Sequence, residues 1–269
     1  MRVSIILTTC NRPRSLLLSM LSLARQDRPP DEIVIADDGS GPETAEVVRR
    51  VGEELPIRIE HAWHDDLGWR VAATRNNGVR ASSGEYLIFV DGDVLADRGL
   101  VAAHVEQAGR GRFLLGNALR LDEATSACIS EDDVRSGRLG LPLLQEAKSR
   151  LSKVHRRNQW HLFLRRLHLC KRHKPKLVGL NFSLYRSDLE RVNGFDEDFV
   201  GWGQEDDDLG MRLMLAGVRP KSIAPCAIAF HLYHASSASP AWHDSENSQR
   251  LFRLDRPTFC DNGLVRSGE

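Results

Sequence analysis

Several things are scarce in this sequence, and each scarcity excludes something. There are only five cysteines: Cys10, Cys128, Cys170, Cys226 and Cys260. Their number is odd, their spacings are wide and no C-x-x-C pair occurs, so neither a structural zinc site nor a disulfide framework is expected, in keeping with a reducing compartment. No apolar run approaches the roughly 20 residues that span a bilayer. The run that opens the chain is too short for a secretory signal core and stops at Asn11-Arg12-Pro13, so a cytoplasmic protein is expected. Net charge is also missing: 37 basic residues balance 37 acidic ones. No global field favours nucleic acid, which is not an expected partner. There is no internal repeat and no low-complexity tract.

What is present is an ordinary globular mixture of 269 residues, 41% hydrophobic and 28% charged. That length suits one large α/β domain, or a nucleotide-binding half joined to an acceptor-binding half. Val3 to Thr9 is a continuous apolar, β-branched run of the kind buried on both faces of a parallel sheet. Pro13 opens a helix that places Leu17, Met20, Leu21 and Ala24 on one face. Strands are expected at Glu32–Ala36, Ile57–Ala62 and Tyr86–Val90, and helices at Thr44–Val51 and Ala72–Ala81. Strict alternation of strand and helix predicts a doubly wound, mostly parallel sheet flanked by helices. Further on, Leu177–Tyr185 and Ile223–Tyr233 read as strands, and Gln204–Ala216 as a helix stopped by Gly217. The last thirty or so residues read as irregular.

Ligands of such sheets bind beyond the carboxyl ends of the strands. Three of those ends carry polar clusters: Thr8-Thr9-Cys10-Asn11, Asp37-Asp38-Gly39-Ser40 and Asp91-Gly92-Asp93. Two carboxylates one residue apart, as in Asp91 and Asp93, can turn toward one hard cation, Mn²⁺ or Mg²⁺. The same pattern also occurs in solvated turns. Asp37 or Asp38 could accept a hydrogen bond from a nucleobase or a ribose, although Asp-Gly also makes a tight turn unaided. Arg70 and Arg75 offer guanidinium forks for a diphosphate, or simply a surface helix face.

Gly201-Trp202-Gly203-Gln204-Glu205-Asp206-Asp207-Asp208 is the densest feature. Four successive acids repel one another, and a helix N-terminus is the plain reason to tolerate them. Two glycines around Trp202 also give close backbone approach beside a flat platform that suits a sugar ring. A carboxylate there could act as a general base. His231 and His234 end the late strand, where one of them could supply a third metal ligand.

Residues 148–176 hold eleven Lys or Arg, four His and no acid. Trp160, Phe163, Leu164 and Leu167 recur there at helical spacing. A basic amphipathic helix, or two with a break, is expected. It is either a solvated face or a peripheral contact with anionic membrane or a lipid-linked, phosphate-bearing acceptor.

Taken together, Val3-Ser-Ile-Ile-Leu-Thr-Thr-Cys-Asn-Arg-Pro13, Asp37-Asp38-Gly39-Ser40, Arg75-Asn76-Asn77-Gly78, Phe89-Val-Asp-Gly-Asp93, Asn193-Gly-Phe-Asp196, Gly201-Trp-Gly-Gln-Glu-Asp206 and His231-Leu-Tyr-His234 resemble the family 2 inverting glycosyltransferases. The likeness is strongest to the branch with a C-terminal module similar to that of animal β-galactosyltransferases and bacterial chondroitin polymerases. It implies a Rossmann-like GT-A fold with a C-terminal acceptor-binding part. It also implies a UDP-sugar donor and a glycan or lipid-linked acceptor, in bacterial surface polysaccharide or lipopolysaccharide synthesis.

By that resemblance Thr8, Asn11, Asp37, Asp38 and Arg75 would serve the uridine and diphosphate. Asp91, Gly92 and Asp93 would hold ribose and metal, with His234 as the third metal ligand. Trp202 and Gly203 would frame the sugars, Glu205 would bind a sugar hydroxyl and Asp206 would be the base. Gln204 departs from the pattern, since Gly is common at its position. The implied organisation is 1–115 for the nucleotide-sugar, 116–176 as a variable basic insert facing acceptor or membrane, and 177–269 for acceptor and base. Two rival readings are a sugar-nucleotide nucleotidyltransferase, for which the Gly-rich basic loop after the first strand is missing, and an inactive carbohydrate-binding or scaffolding protein, whose acidic sites would be expected to have decayed.

Overall fold

A computed structural model describes residues 1–138, 141–171, 173–235, 245–253 and 255–265. The first part of the chain alternates strand and helix as expected. It runs β1 (Val3–Thr9), α1 (Pro13–Ala24), β2 (Glu32–Asp37), α2 (Pro42–Glu54), β3 (Arg58–Trp63), α3 (Val71–Ala81) and β4 (Tyr86–Asp91). Then come β5 (Val94–Ala96), α4 (Leu100–Glu106), β6 (Arg112–Leu115), β7 (Leu119–Arg120), α5 (Glu123–Cys128), α6 (Glu131–Ser136) and α7 (Leu141–Arg166). The chain continues with β8 (Asn181–Tyr185), α8 (Arg186–Glu190), α9 (Glu205–Leu215), β9 (Arg219–Ser222), β10 (Ala229–His231) and α10 (Glu246–Leu251).

The main sheet has seven strands in the order β3-β2-β1-β4-β8-β6-β9. Every neighbouring pair is parallel except those of β8, which runs antiparallel to β4 and β6. This is the mostly parallel sheet that the alternation of strand and helix leads one to expect. The 177–269 segment adds two strands to the sheet begun by the first half. A smaller sheet, β5-β10-β7, carries His231.

Strand alternation sorts the core into two layers, because successive side chains leave a strand on opposite faces. Ile5, Leu7, Ile33, Ile35, Ile88 and Val90 join the α1 side, whereas Ile6, Val34, Leu87 and Phe89 join the side of α3 and α9. On that second side Phe89 stacks on Phe182 with ring centroids 4.5 Å apart, and Phe195 meets Phe89 edge-on at 5.6 Å. Aromatic pairs of this kind add about 0.5–1.5 kcal/mol beyond their buried area. Gly78 lets α3 lie flat on the sheet, since a Cβ there would sit 2.7 Å from Ile6 and 2.9 Å from Ala36.

Three sequence expectations need correction, and one open alternative is decided. The strand expected over Leu177–Tyr185 begins only at Asn181. Residues 177–180 instead form a turn whose Gly179 N–H donates to Asp206 Oδ2. Of Ile223–Tyr233 only Ala229–His231 is strand, because the chain first turns back through Cys226 and Ala227 N–H bonds to Ile223 O. The tail contains α10, capped by the Ser245 hydroxyl, so its described part is not all irregular; residues 240–244, 254 and 266–269 lie outside the described residues. The basic helix is the single element α7, beginning at Leu141 and ending at Arg166.

Candidate functional site

The carboxyl ends of β1, β2 and β4 open into a cleft of about 650 Å³. Thr8, Asp38, Arg75, Asp91, Gly92, Asp93, Trp202, Gly203, Glu205, Asp206 and His234 all line it. The turn after β4 is pinned to β1 by Gly92 N–H donating to Thr8 O at 2.6 Å, and a Cβ at Gly92 would crowd that oxygen. Thr8 Oγ1 is buried without a hydrogen-bond partner. An unsatisfied buried polar atom costs roughly 1–3 kcal/mol, so such atoms accumulate where a ligand is to be received.

Two expected donor residues do not reach the cleft. Asn11 adopts a left-handed backbone, φ 48°, and its Oδ1 accepts from Gly41 N–H at 2.9 Å. It ties the loop after β1 to the loop after β2. Asp37 is fully buried behind its neighbour, accepting from Ser40 N–H at 2.9 Å and facing His61 Nε2 at 2.8 Å. Burial opposes its charge, but His61 and Ser40 hold its carboxyl below the usual range. Of the acidic pair only Asp38 faces the cleft, held by Arg70 N–H at 2.9 Å. Period-two alternation explains the split: adjacent residues at a strand end point opposite ways.

The metal-capable cluster differs from the expected set. Asp93, His231 and His234 bring one ligand atom each within 4.8 Å of one another. His231 Nε2 lies 3.6 Å from Asp93 Oδ1, and His234 Nε2 lies 3.4 Å from Oδ2. Asp91 is not in this group: its Oδ1 accepts from Arg75 Nη2 at 3.1 Å. His231, one of two candidates at the strand end, joins His234 because the backbone leaves β10 at His231 and turns back over Asp93, whose O accepts from Leu232 N–H. Asp93 Oδ1 is buried with no hydrogen-bond partner, and burial pushes its carboxyl up although His231, His234 and Arg12 oppose. One carboxylate and two imidazoles around an unsatisfied oxygen suit a divalent cation, and the nitrogen content favours Mn²⁺ over Mg²⁺.

Arg12 was not anticipated. Its Nη1 donates to Asp93 Oδ2 at 2.7 Å, a tethered cation beside the ligand set. Only its place directly after the first polar cluster hinted at a role. Trp69 and Lys176 also line the cleft unannounced. Trp69 O accepts from Gly201 N–H at 2.9 Å, which draws the loop before α3 against the Trp202 loop.

Four successive acids at the start of α9 are resolved one by one. Asp208 pairs with Arg212 at 2.6 Å and with Arg256. Asp207 pairs with Lys176. Burial and neighbouring Asp206 nevertheless push Asp207 up to about 6. Glu205 Oε1 accepts from Arg75 Nη1 at 2.7 Å. Burial and Asp206 push Glu205 up to about 7, while Arg75 opposes. Arg75 is no surface residue: it is 3% exposed, spans Glu205 and Asp91, and lies over the Phe195 ring at 5.3 Å. Burial disfavours its charge, yet Asp91, Glu205 and Asp206 together hold it firmly protonated. Asp206 alone among the four has no cationic partner among the described residues. Its Oδ2 accepts from Gly179 N–H at 3.0 Å and its Oδ1 from Asp207 N–H at 2.7 Å.

Gln204, the departure noted in sequence, is left-handed at φ 80° and forms the N-cap of α9. That backbone explains why glycine suits the position. Its Nε2 donates to Ser248 Oγ at 2.7 Å, tying the loop to α10. Gly201 and Gly203 flank Trp202 at φ 84° and 86°, and Trp202 stands 44% exposed at the cleft.

Comparison with known proteins agrees with this geometry. A family model described as glycosyl transferase family 2 matches residues 4–169, and one described as N-terminal domain of galactosyltransferase matches residues 159–235. Validoxylamine A glucosyltransferase from Streptomyces hygroscopicus subsp. limoneus is 32% identical over 94% of this chain and 55% of its own length. Chondroitin synthase from Escherichia coli is 27% identical over 85% of this chain and 34% of its own. The chain thus spans about half, or less, of the length of these relatives. A mannosyltransferase from Pyrobaculum calidifontis, solved with GDP-Man and Mn²⁺, has a TM-score of 0.58 at 18% identity, covering 90% of this chain and 59% of that one. S. aureus TarS 1-349 with UDP-GlcNAc has a TM-score of 0.56 at 17% identity, covering 88% and 60%. These structural likenesses speak to the fold. With its first 169 residues matched almost throughout and the motifs in order around one cleft, the chain belongs to glycosyl transferase family 2.

Proposed function

We propose that this chain is a metal-dependent inverting glycosyltransferase that moves a hexose or N-acetylhexosamine from a UDP-sugar to a hydroxyl of a glycan or lipid-linked acceptor, in bacterial surface polysaccharide or lipopolysaccharide synthesis. One observation carries the reading. Asp206 faces the same cleft as the Asp93, His231 and His234 cluster and, among the described residues, is the acid of its run that makes no ion pair. A carboxylate held only by two backbone N–H groups is aimed but not neutralised, which suits a general base.

Asp206 would take the proton from the acceptor hydroxyl, whose oxygen attacks the anomeric carbon opposite the diphosphate. An α-linked donor then yields a β-linked product. Thr8 and Asp38 would hold the nucleoside, and Trp202 would lie against a sugar face. Glu205 would position a sugar hydroxyl while Arg75 fixes Glu205 and Asp91. A cation on Asp93, His231 and His234 would take up charge from the leaving diphosphate. Residues 1–115 would then serve the donor, and 116–176 and 177–269 the acceptor side. The glucosyltransferase relative supports a hexose; the UDP assignment rests on the family resemblance.

The test is a panel of UDP-, GDP- and dTDP-sugars hydrolysed with Mn²⁺ or Mg²⁺, alongside Asp206→Asn. UDP-sugar turnover is expected, and Asp206→Asn should lower transfer about 10²- to 10⁴-fold with UDP affinity retained. Turnover of only a GDP- or dTDP-sugar would overturn the uridine assignment. Undiminished transfer by Asp206→Asn would place the base elsewhere.

A further inference from the structure

Among the described residues, helix α7 packs on the body through one face. Ala147, Leu151 and Asn158 are buried there, with Asn158 Nδ2 donating to Ser222 Oγ at 3.3 Å. A helix advances 100° per residue, so Lys153, Arg156, Trp160 and Phe163 fall on the opposite side, and Leu167 follows in the turn after the helix. Those apolar residues are in the open: Trp160 is 57% exposed, Phe163 48% and Leu167 50%, and Leu169 just beyond is 71% exposed. Trp160 and Phe163 stack on each other with centroids 5.5 Å apart. The apolar stripe legible in the sequence therefore serves no core.

The charge around this stripe is of one sign. Residues 148–176 contain eleven Lys or Arg and no Asp or Glu. Lys153, Arg156 and Arg157 make no ion pair among the described residues. The segment then leads into the cleft: Lys176 to Leu180 form part of its wall.

We propose that the outward face of α7 from Lys153 onward, together with the turn that follows it to Leu169, docks the protein on an anionic phospholipid surface, with Trp160, Phe163, Leu167 and Leu169 entering the headgroup boundary. A soluble polyanion would satisfy the cations but leave the aromatic residues in water. A second copy meeting this face isologously would set like charges against each other. A bilayer with acidic headgroups answers both features at once, since basic side chains meet headgroups while Trp and Phe reach the acyl boundary. No described helix is long and apolar enough to cross a membrane, so the contact is peripheral. Docking stands on the α7 surface and is independent of which sugar is transferred.

The experiment is co-sedimentation of the full chain with phosphatidylcholine vesicles and with an equimolar phosphatidylcholine–phosphatidylglycerol mixture, at low and high salt. Partitioning onto the anionic vesicles, lost at high salt, is expected. Replacing Lys153, Arg156 and Arg157 by Ala should weaken it on the order of a hundredfold, about fivefold per charge. Trp160→Ala with Phe163→Ala should weaken it at least tenfold and abolish the vesicle-induced blue shift of tryptophan fluorescence. Far-UV circular dichroism and vesicle-free UDP-sugar hydrolysis should stay unchanged in both variants, and loss of hydrolysis alone would not touch docking. Equal partitioning onto neutral vesicles, binding indifferent to either variant, or a dimer in sedimentation equilibrium dissolved by these substitutions would overturn the proposal.

Discussion

Arg12 reaches across from the loop after β1 and sets its guanidinium 2.7 Å from Asp93 Oδ2, the carboxylate that also faces His231 and His234. A metal arriving on Asp93 meets a positive charge already there. Both side chains are partly screened, so the pair is worth about 1 kcal/mol rather than several. Arg12→Ala should therefore tighten Mn²⁺ binding by the nucleotide-free protein about fivefold, measured by electron paramagnetic resonance of free Mn²⁺. Weaker Mn²⁺ binding would show that Arg12 orients Asp93 instead of competing with the cation.

The ligand set itself separates from the sequence pattern. Asp93→Asn and His231→Ala should each lower Mn²⁺ affinity at least tenfold in the free protein. Asp91→Asn should change it only a few-fold, because Asp91 is engaged with Arg75. Calorimetric titration of the three variants distinguishes them. A loss for Asp91→Asn equal to that for Asp93→Asn would restore the paired-carboxylate arrangement expected from sequence.

Glu205 should make stability depend on pH in an unusual direction. Its carboxyl is pushed up to about 7 in the fold from the ordinary 4.5 of a glutamate, chiefly by burial and by Asp206. Between those values the folded state binds the proton that the unfolded state releases. Unfolding free energy should therefore fall as pH rises through that window, by on the order of 3 kcal/mol from this group. Denaturant melts across the window should show the slope, and Glu205→Gln should flatten it. An unchanged slope would assign the proton to another acid of the cluster.

Gln204 sets two effects against each other. Gln204→Gly relieves a left-handed backbone, worth roughly 1 kcal/mol, and loses the Ser248 hydrogen bond, worth about as much. It should be near neutral in stability. Gln204→Ala keeps the backbone conformation and loses the bond, so it should cost about 1 kcal/mol more than Gly in urea unfolding. Equal stabilities would mean that φ 80° carries little strain here.

The alternation of Val3–Thr9, Glu32–Ala36 and Tyr86–Val90 with the intervening helices is readable directly, because two-sided burial demands continuous apolar strands and each strand end then exposes its polar cluster. The sequence by itself thus determined the parallel first part of the sheet, the cleft edge and the polar clusters at that edge. Tertiary structure decided which members of each cluster face the cleft. Asp38 and not Asp37 enters the cleft, because neighbours on a strand point opposite ways and His61 claims the buried one. His231 joins Asp93 while Asp91 turns to Arg75, a choice made by a return of the chain from more than a hundred residues away, which no local spacing encodes. Asp206 is singled out from four adjacent acids only because Arg75, Lys176 and Arg212 arrive from elsewhere in the chain or the next helical turn to take the other three.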